Sequence, residues 1–542
     1  MPSHVLLSSI AGWLGLCLAV GAGIYHTRGA EPRRMPWVAW LLLGTALLFF
    51  RWPVLSLPHE LHPDESQLLA GAITLRHDPL FWRSVDGNTA GPLDIYALLP
   101  AVFFPGSNAY VAARVIAALL IWGALVAAGE SLVLLTGRPA ARGATLPALL
   151  FAAFTTSPEF VPYSTEQVPA LLLALAVLAL ARREIQATRA NLWGAALLLG
   201  AIPWAKLQAI PLAVALGLWL VVREWQAGRR AATALLVAAA AVPTLVVLLV
   251  LTFTAQTDHM IFPYILQNLL YTGTGRLPLT TVLLQHGQQA LTNGYLAAWL
   301  AGSAIVGLVV ALALRRASLA ARRHVLVAAG LVLGAGVCVL APGRPYGHYL
   351  HFLAMPLTVL LGTLLAAVAE FGPVGRKLMI FCGLCLLVPP VALRLSSRTD
   401  PYANYNTVLT APDAEHRELT ARVQAFARPG ETLGVWGWRS SLYVETGLAQ
   451  ATSVAQSEPL LIAGPAQTYY LHRYAENLAQ AAPPVFVDAV GPGNFRFQAR
   501  ELGHEMFPWL RDWIAANYTL VADLDGTRLY VRNDRVKPGG SS

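Results

Sequence analysis

The sequence predicts an α-helical polytopic membrane protein of about twelve spans that carries a C-terminal extracytoplasmic α/β domain. Three observations predict it. Of 542 residues, 56% are hydrophobic and 12% charged, with a mean hydropathy of +0.54. That much apolar surface needs a non-aqueous solvent. Several apolar runs reach about 18–25 residues, the length that crosses about 30 Å of hydrocarbon. The loops between the runs alternate between arginine-rich and arginine-poor.

The predicted spans are 5–25, 36–56, 108–136, 145–160, 166–181, 191–205, 207–222, 231–253, 293–314, 325–341, 349–369 and 378–394. The first is read as a span because Met1-Pro2-Ser3-His4 lacks the basic stretch of a cleavable signal. Arg51, near the end of the second, is placed to snorkel toward the interface. One set of loops holds Arg28, Arg33 and Arg34; Arg138 and Arg142; Arg182, Arg183 and Arg189. The set continues with Arg223, Arg229 and Arg230; Arg315, Arg316, Arg322 and Arg323; Arg376 and Lys377. The positive-inside rule puts these in the cytoplasm. Segments 57–107, 158–166, 254–292, 342–349 and the tail from about 395 then lie outside.

Two domains follow from this pattern. Residues 1–395 form the transmembrane domain, including outer loop 57–107, and 396–542 form a soluble α/β domain. In the latter, 412–427 reads as an amphipathic helix capped by Asp413. Segments 432–436 and 484–488 read as buried strands, and 518–533 as a hairpin turning at Asp525-Gly526.

The net charge of +9 does not indicate nucleic acid, because the cations lie in short clusters between apolar runs. Cys17, Cys338, Cys382 and Cys385 all sit in apolar runs, where a thiol behaves as a small hydrophobe.

The outer segments collect the unusual polar residues. His62-Pro63-Asp64-Glu65 follows the second span. Glu159 and Glu166 flank Pro162-Tyr163, and Lys206 and Gln208 mark a tight helical turn. Arg344, His348, Tyr349 and His351 crowd one short connection. Ionisable groups at membrane depth are costly and tend to face a cavity or a partner. Each also has a plainer reading. The acidic pair fits a solvated helix terminus, Glu166 a helix cap, and Lys206 a snorkelling side chain. Trp436 and Trp438 fit a domain core or a sugar-stacking surface. His62 and His351 lack metal-ligand spacing.

Transfer of a sugar from a polyprenyl phosphate explains the combination. The phosphate leaves readily, so no protonating acid is needed, and Lys206, Arg344 and His348 are candidates to hold it. The acceptor hydroxyl needs a carboxylate base, for which Asp64 is the candidate.

These residues resemble the multi-spanning glycosyltransferases of the GT-C superfamily. The branch is that of protein O-mannosyltransferase-like enzymes and the aminoarabinose transferase acting on lipid A. The likeness rests on four segments. They are Asp64-Glu65; Gly91-Pro92-Leu93-Asp94-Ile95-Tyr96 with Ala112-Ala113-Arg114; Ser157-Pro158-Glu159 through Glu166 and Lys206; and Arg344 to Tyr349 with Pro356. The tail with Trp436, Trp438 and Tyr443 is similar to the soluble domain of many members. The resemblance implies a bacterial inner-membrane enzyme with its active face outside. It implies a polyprenyl-phosphate sugar donor and a glycan, lipid or protein acceptor. It puts Asp64 and Glu65 at the catalytic position, and Glu166, Lys206, Arg344, His348 and Tyr349 in substrate binding. Some members use a divalent cation beside the acidic loop, and the residues here neither require nor exclude one. Relatives often have Asp near the Glu166 position and one span, not two, before the acidic pair.

Two other readings are a flippase of lipid-linked glycans and a surface-polysaccharide ligase or polymerase. A transporter places polar groups at mid-bilayer in paired halves. Here they gather at one face, with Glu130 the one acid well inside a span.

Overall fold

The computed structural model describes residues 3–27, 37–104, 106–273, 276–396, 414–492, 494–524 and 526–536. The predicted cap Asp413, the turn residue Asp525 and the basic loop of Arg28, Arg33 and Arg34 lie outside the described residues. The chain forms two compact units. The first is Met1–Ser56, Val115–Leu249 and Thr272–Tyr405; the second is Leu57–Arg114, Val250–Tyr271 and Asn406–Ser542.

The first unit is helical, as lipid requires, because a helix satisfies its backbone internally. Among the described residues, seven helical stretches are long and apolar enough to cross a membrane. They are Trp37–Leu55, Asn108–Thr136, Leu207–Gln226, Arg230–Phe253, Gly294–Arg316, Leu319–Leu340 and Gly347–Ser396. The last holds two helices, Ala354–Val368 and Gly372–Ser396, which break at Gly372, where φ is +60°. The count of twelve is therefore not established. Leu146–Phe154 shows why, since its nine residues rise only about 14 Å. Pro147 opens that helix and Thr155, with extended backbone, closes it.

Small residues let these helices approach closely. A Cβ on Gly200 would sit 2.0 Å from the Ala240 carbonyl oxygen. Alanines 124, 127, 128, 148, 152 and 153 share a buried core with Leu132, Phe151 and Trp299.

The second unit holds a five-stranded mixed sheet ordered β2-β1-β3-β5-β4. Its strands are β1 (Thr432–Gly437), β2 (Ala449–Gln450), β3 (Val485–Ala489), β4 (Tyr518–Leu524) and β5 (Thr527–Arg532). β1 runs parallel to β2 and β3, while β5 is antiparallel to β3 and β4. Val435 lies opposite Val487, and Val487 opposite Leu529. Side chains alternate between faces. One face packs Val435, Val487 and Leu529 with Leu419 and Val423 of helix Ala414–Phe426. The other packs Trp436, Phe486 and Tyr530 with Tyr470 and Tyr474. Trp436 donates its Nε1–H to the Leu502 carbonyl at 2.8 Å and is a core residue.

Segment 57–107, expected as an outer loop of the membrane domain, belongs to this second unit, and much of it is helix. Helix Pro63–His77 begins with Pro at its first position, and the His62 imidazole caps it by accepting the Asp64 N–H. Asp64 and Glu65 occupy the first turn, where the helix dipole favours anions. Ala70 joins the sheet's core, and Thr74 Oγ1 accepts the Gln450 N–H at 3.0 Å. Asp86 donates its N–H to the Ser453 carbonyl at 2.6 Å.

Candidate active site

The acidic doublet divides in two. Glu65 is fully buried and meets Arg114 in a two-point pair, with Nε to Oε1 at 2.8 Å and Nη2 to Oε2 at 2.7 Å. Arg114 also donates to the carbonyls of Leu57 at 2.6 Å and His59 at 2.5 Å. Ser66 Oγ and the Tyr110 hydroxyl lie 2.7 Å apart one residue further on. A buried ion pair holds only when its remaining hydrogen bonds are made, and here they are. Asp64 is different. Its side chain is 44% exposed, and its carboxylate lies 3.7 Å from His62 Nδ1. Successive helical residues point about 100° apart, so pinning Glu65 inward presents Asp64 outward.

His59 feels the same burial. Desolvation, and then the Arg114 charge, hold its imidazole below the usual pKa of 6.5. The folded state thus binds that proton less readily than the unfolded chain. The His59 contribution is complete above pH 6.5 and is lost as pH falls through the lower folded value. His59→Gln is expected to flatten the acid limb of a plot of melting temperature against pH. An unchanged limb would assign it to other groups.

The first unit builds a second cluster. Glu166 precedes helix Gln167–Ile185, but its carboxylate does not cap that helix. It pairs instead with Lys206, which also donates to Thr165 Oγ1. Pair and lysine are buried, and the ammonium stands 5.1 Å from the centre of the Tyr349 ring. The His348 ring meets Tyr349 edge-on at 5.0 Å. Glu159 Oε2 accepts the His348 backbone N–H at 3.1 Å and faces its Nδ1 at 3.0 Å. The bend at Gly343, with φ +66°, carries Arg344, and the Arg276 side chain packs on that glycine. Leu277 donates its N–H to the Gly343 carbonyl at 3.1 Å.

Of the residues expected from sequence, the structure thus brings together Glu166, Lys206, His348 and Tyr349, with Arg344 on the adjoining bend. Asp64 and Glu65 belong to the other unit. Sequence reasoning did not single out Arg276, Thr165 or Arg114 as an anchor. Arg51 departs from expectation. It is buried, and its guanidinium donates to the carbonyls of Ala152 and Phe160, the latter at 2.9 Å, so it does not snorkel. The intramembrane acid Glu130 is bonded to Arg142 at 2.9 and 3.1 Å and to Trp40 Nε1 at 2.9 Å, which makes it a structural pair.

Asp488, His504 and Glu505 of the second unit offer ligand atoms within 4.8 Å of one another. Arg528 already donates to both carboxylates, so a cation occupies the place a metal would take.

No protein-family model and no curated protein matches the sequence. Among solved structures, the crystal structure of ArnT from Cupriavidus metallidurans in the apo state is similar, with a TM-score of 0.51 at 13% identity. The alignment covers 91% of this chain and 98% of that one. The chain therefore shares its fold with that ArnT structure over most of its length.

Proposed function

We propose that this chain is an integral-membrane glycosyltransferase that moves a sugar from a polyprenyl-phosphate donor to an acceptor hydroxyl outside the cytoplasm. The observation that carries this is the split doublet, in which Glu65 is locked to Arg114 while its neighbour Asp64 stands exposed on a rigid first turn. The ArnT-like fold supports the same activity class.

In this mechanism Asp64 takes the proton of the acceptor hydroxyl. The freed oxygen attacks the anomeric carbon, and the bond from that carbon to the phosphate oxygen breaks. The lipid phosphate leaves with the electron pair and stays anionic, and the anomeric centre inverts. Lys206, Arg344 and Arg276 receive the phosphate, with His348 and Tyr349 beside it. Glu166 keeps Lys206 extended and neutralised until the phosphate arrives. Glu65 does not touch substrate and acts as a positioning residue. The acceptor is a glycan, a lipid or a protein, and profiling envelope glycans and lipids of a deletion strain would name it.

Purified protein given lipid-linked sugar should consume the donor only when acceptor is present. Lys206→Met is expected to lower kcat/KM for the donor by about 10- to 100-fold, the value of one charged hydrogen bond. If the protein instead moves the lipid-linked sugar across a vesicle membrane unconsumed, it is a flippase and the proposal fails. External labelling of a cysteine placed beside Asp64 tests the orientation.

A further inference from the structure

The helical unit holds a largely apolar cavity of about 470 Å³. It is walled by Leu180, Leu212, Leu216, Ala328, Leu331 and Val359. Its rim carries Arg223, Arg323, His324 and Glu184. The rim residues come from the C-terminal ends of helices Gln167–Ile185 and Ile210–Gln226 and the N-terminal end of Leu319–Leu340. The cavity thus opens at the end of the bundle that carries the basic loops. None of the residues assigned to sugar transfer lines it.

Apolar walls give water no hydrogen-bond partners. An empty space of this size forfeits dispersion contacts on every wall. In a bilayer, the available filling is hydrocarbon. The volume lies within the roughly 300–1,000 Å³ of ordinary ligand cavities. It suits one acyl chain and is small for a long polyprenyl tail.

The rim chooses the headgroup. Arg223 pairs with Glu184 at 2.8 Å, and its guanidinium lies 5.1 Å from the Trp219 ring centre. Arg323 is exposed and has no carboxylate partner among the described residues. The rim therefore carries two guanidinium groups and one carboxylate. We propose that this cavity is a binding site for an anionic glycerophospholipid, with one acyl chain inside and its phosphate on Arg323 and Arg223.

Gly330 makes the test clean. It lines the cavity, and a Cβ added there meets nothing within 4 Å. Gly330→Phe should fill the space without displacing the fold. The full chain, stripped of lipid in detergent, is mixed with phosphatidylglycerol, phosphatidylcholine of the same chains, or a polyprenyl phosphate. Bound lipid is then counted by native mass spectrometry. The expected result is one phosphatidylglycerol held about 5- to 30-fold more tightly than phosphatidylcholine, from one to two arginine contacts. Gly330→Phe should abolish retention of both lipids. Arg323→Glu should keep retention and lose the preference. Equal retention of the two phospholipids overturns the proposal, as does stronger retention of polyprenyl phosphate. Retention that survives Gly330→Phe in a variant of unchanged melting temperature also overturns it.

Discussion

Asp64→Asn is expected to lower the transfer rate by about 10²–10⁴-fold, the usual contribution of a positioned general base. Folding and donor binding should be unaffected. The amide keeps the size of the carboxylate, and the side chain is 44% exposed. The helix cap also survives, because His62 accepts the backbone N–H of residue 64, not its side chain. The decisive measurement is single-turnover transfer by purified protein, with donor affinity measured alongside. An asparagine variant that transfers sugar at the native rate would remove Asp64 from the reaction.

Arg114→Met should do the opposite and strike stability first. It strands the Glu65 carboxylate in a fully buried position and frees the carbonyls of Leu57 and His59. Breaking one side of a buried pair costs about 3–5 kcal/mol. A lower melting temperature in detergent and faster proteolysis within 57–107 are the expected readouts. Adding Glu65→Leu should restore part of the loss, because no uncompensated charge then remains. If the single variant melts at the native temperature, the pair does not anchor the doublet. Activity should fall in both variants, but only the arginine variant should lose it together with the fold.

The apolar runs were legible because crossing a bilayer demands a length that short-range composition displays. The strands of the sheet-bearing unit were legible too, since 432–436 and 484–488 sit within one residue of β1 and β3 at either end. Helix Pro63–His77 was not, because its apolar residues are mixed with polar ones along the sequence and are buried only by packing within the fold. Choice of partner was the hardest feature to read. Glu65 meets Arg114 across 49 positions, and Glu166 meets Lys206 across 40. Nothing local distinguishes such a pair from a helix cap or a snorkelling chain. Arg51 shows the same limit, since the carbonyls that bind it lie about a hundred residues away.

The bond from Arg114 to the Leu57 carbonyl spans 57 positions and brings the two ends of that excursion together. A stretch whose termini are riveted can gain or lose residues between them at little entropic expense. Homologous stretches of different length should therefore be exchangeable at this junction. Evolution has the same freedom to vary the stretch between these two anchored ends.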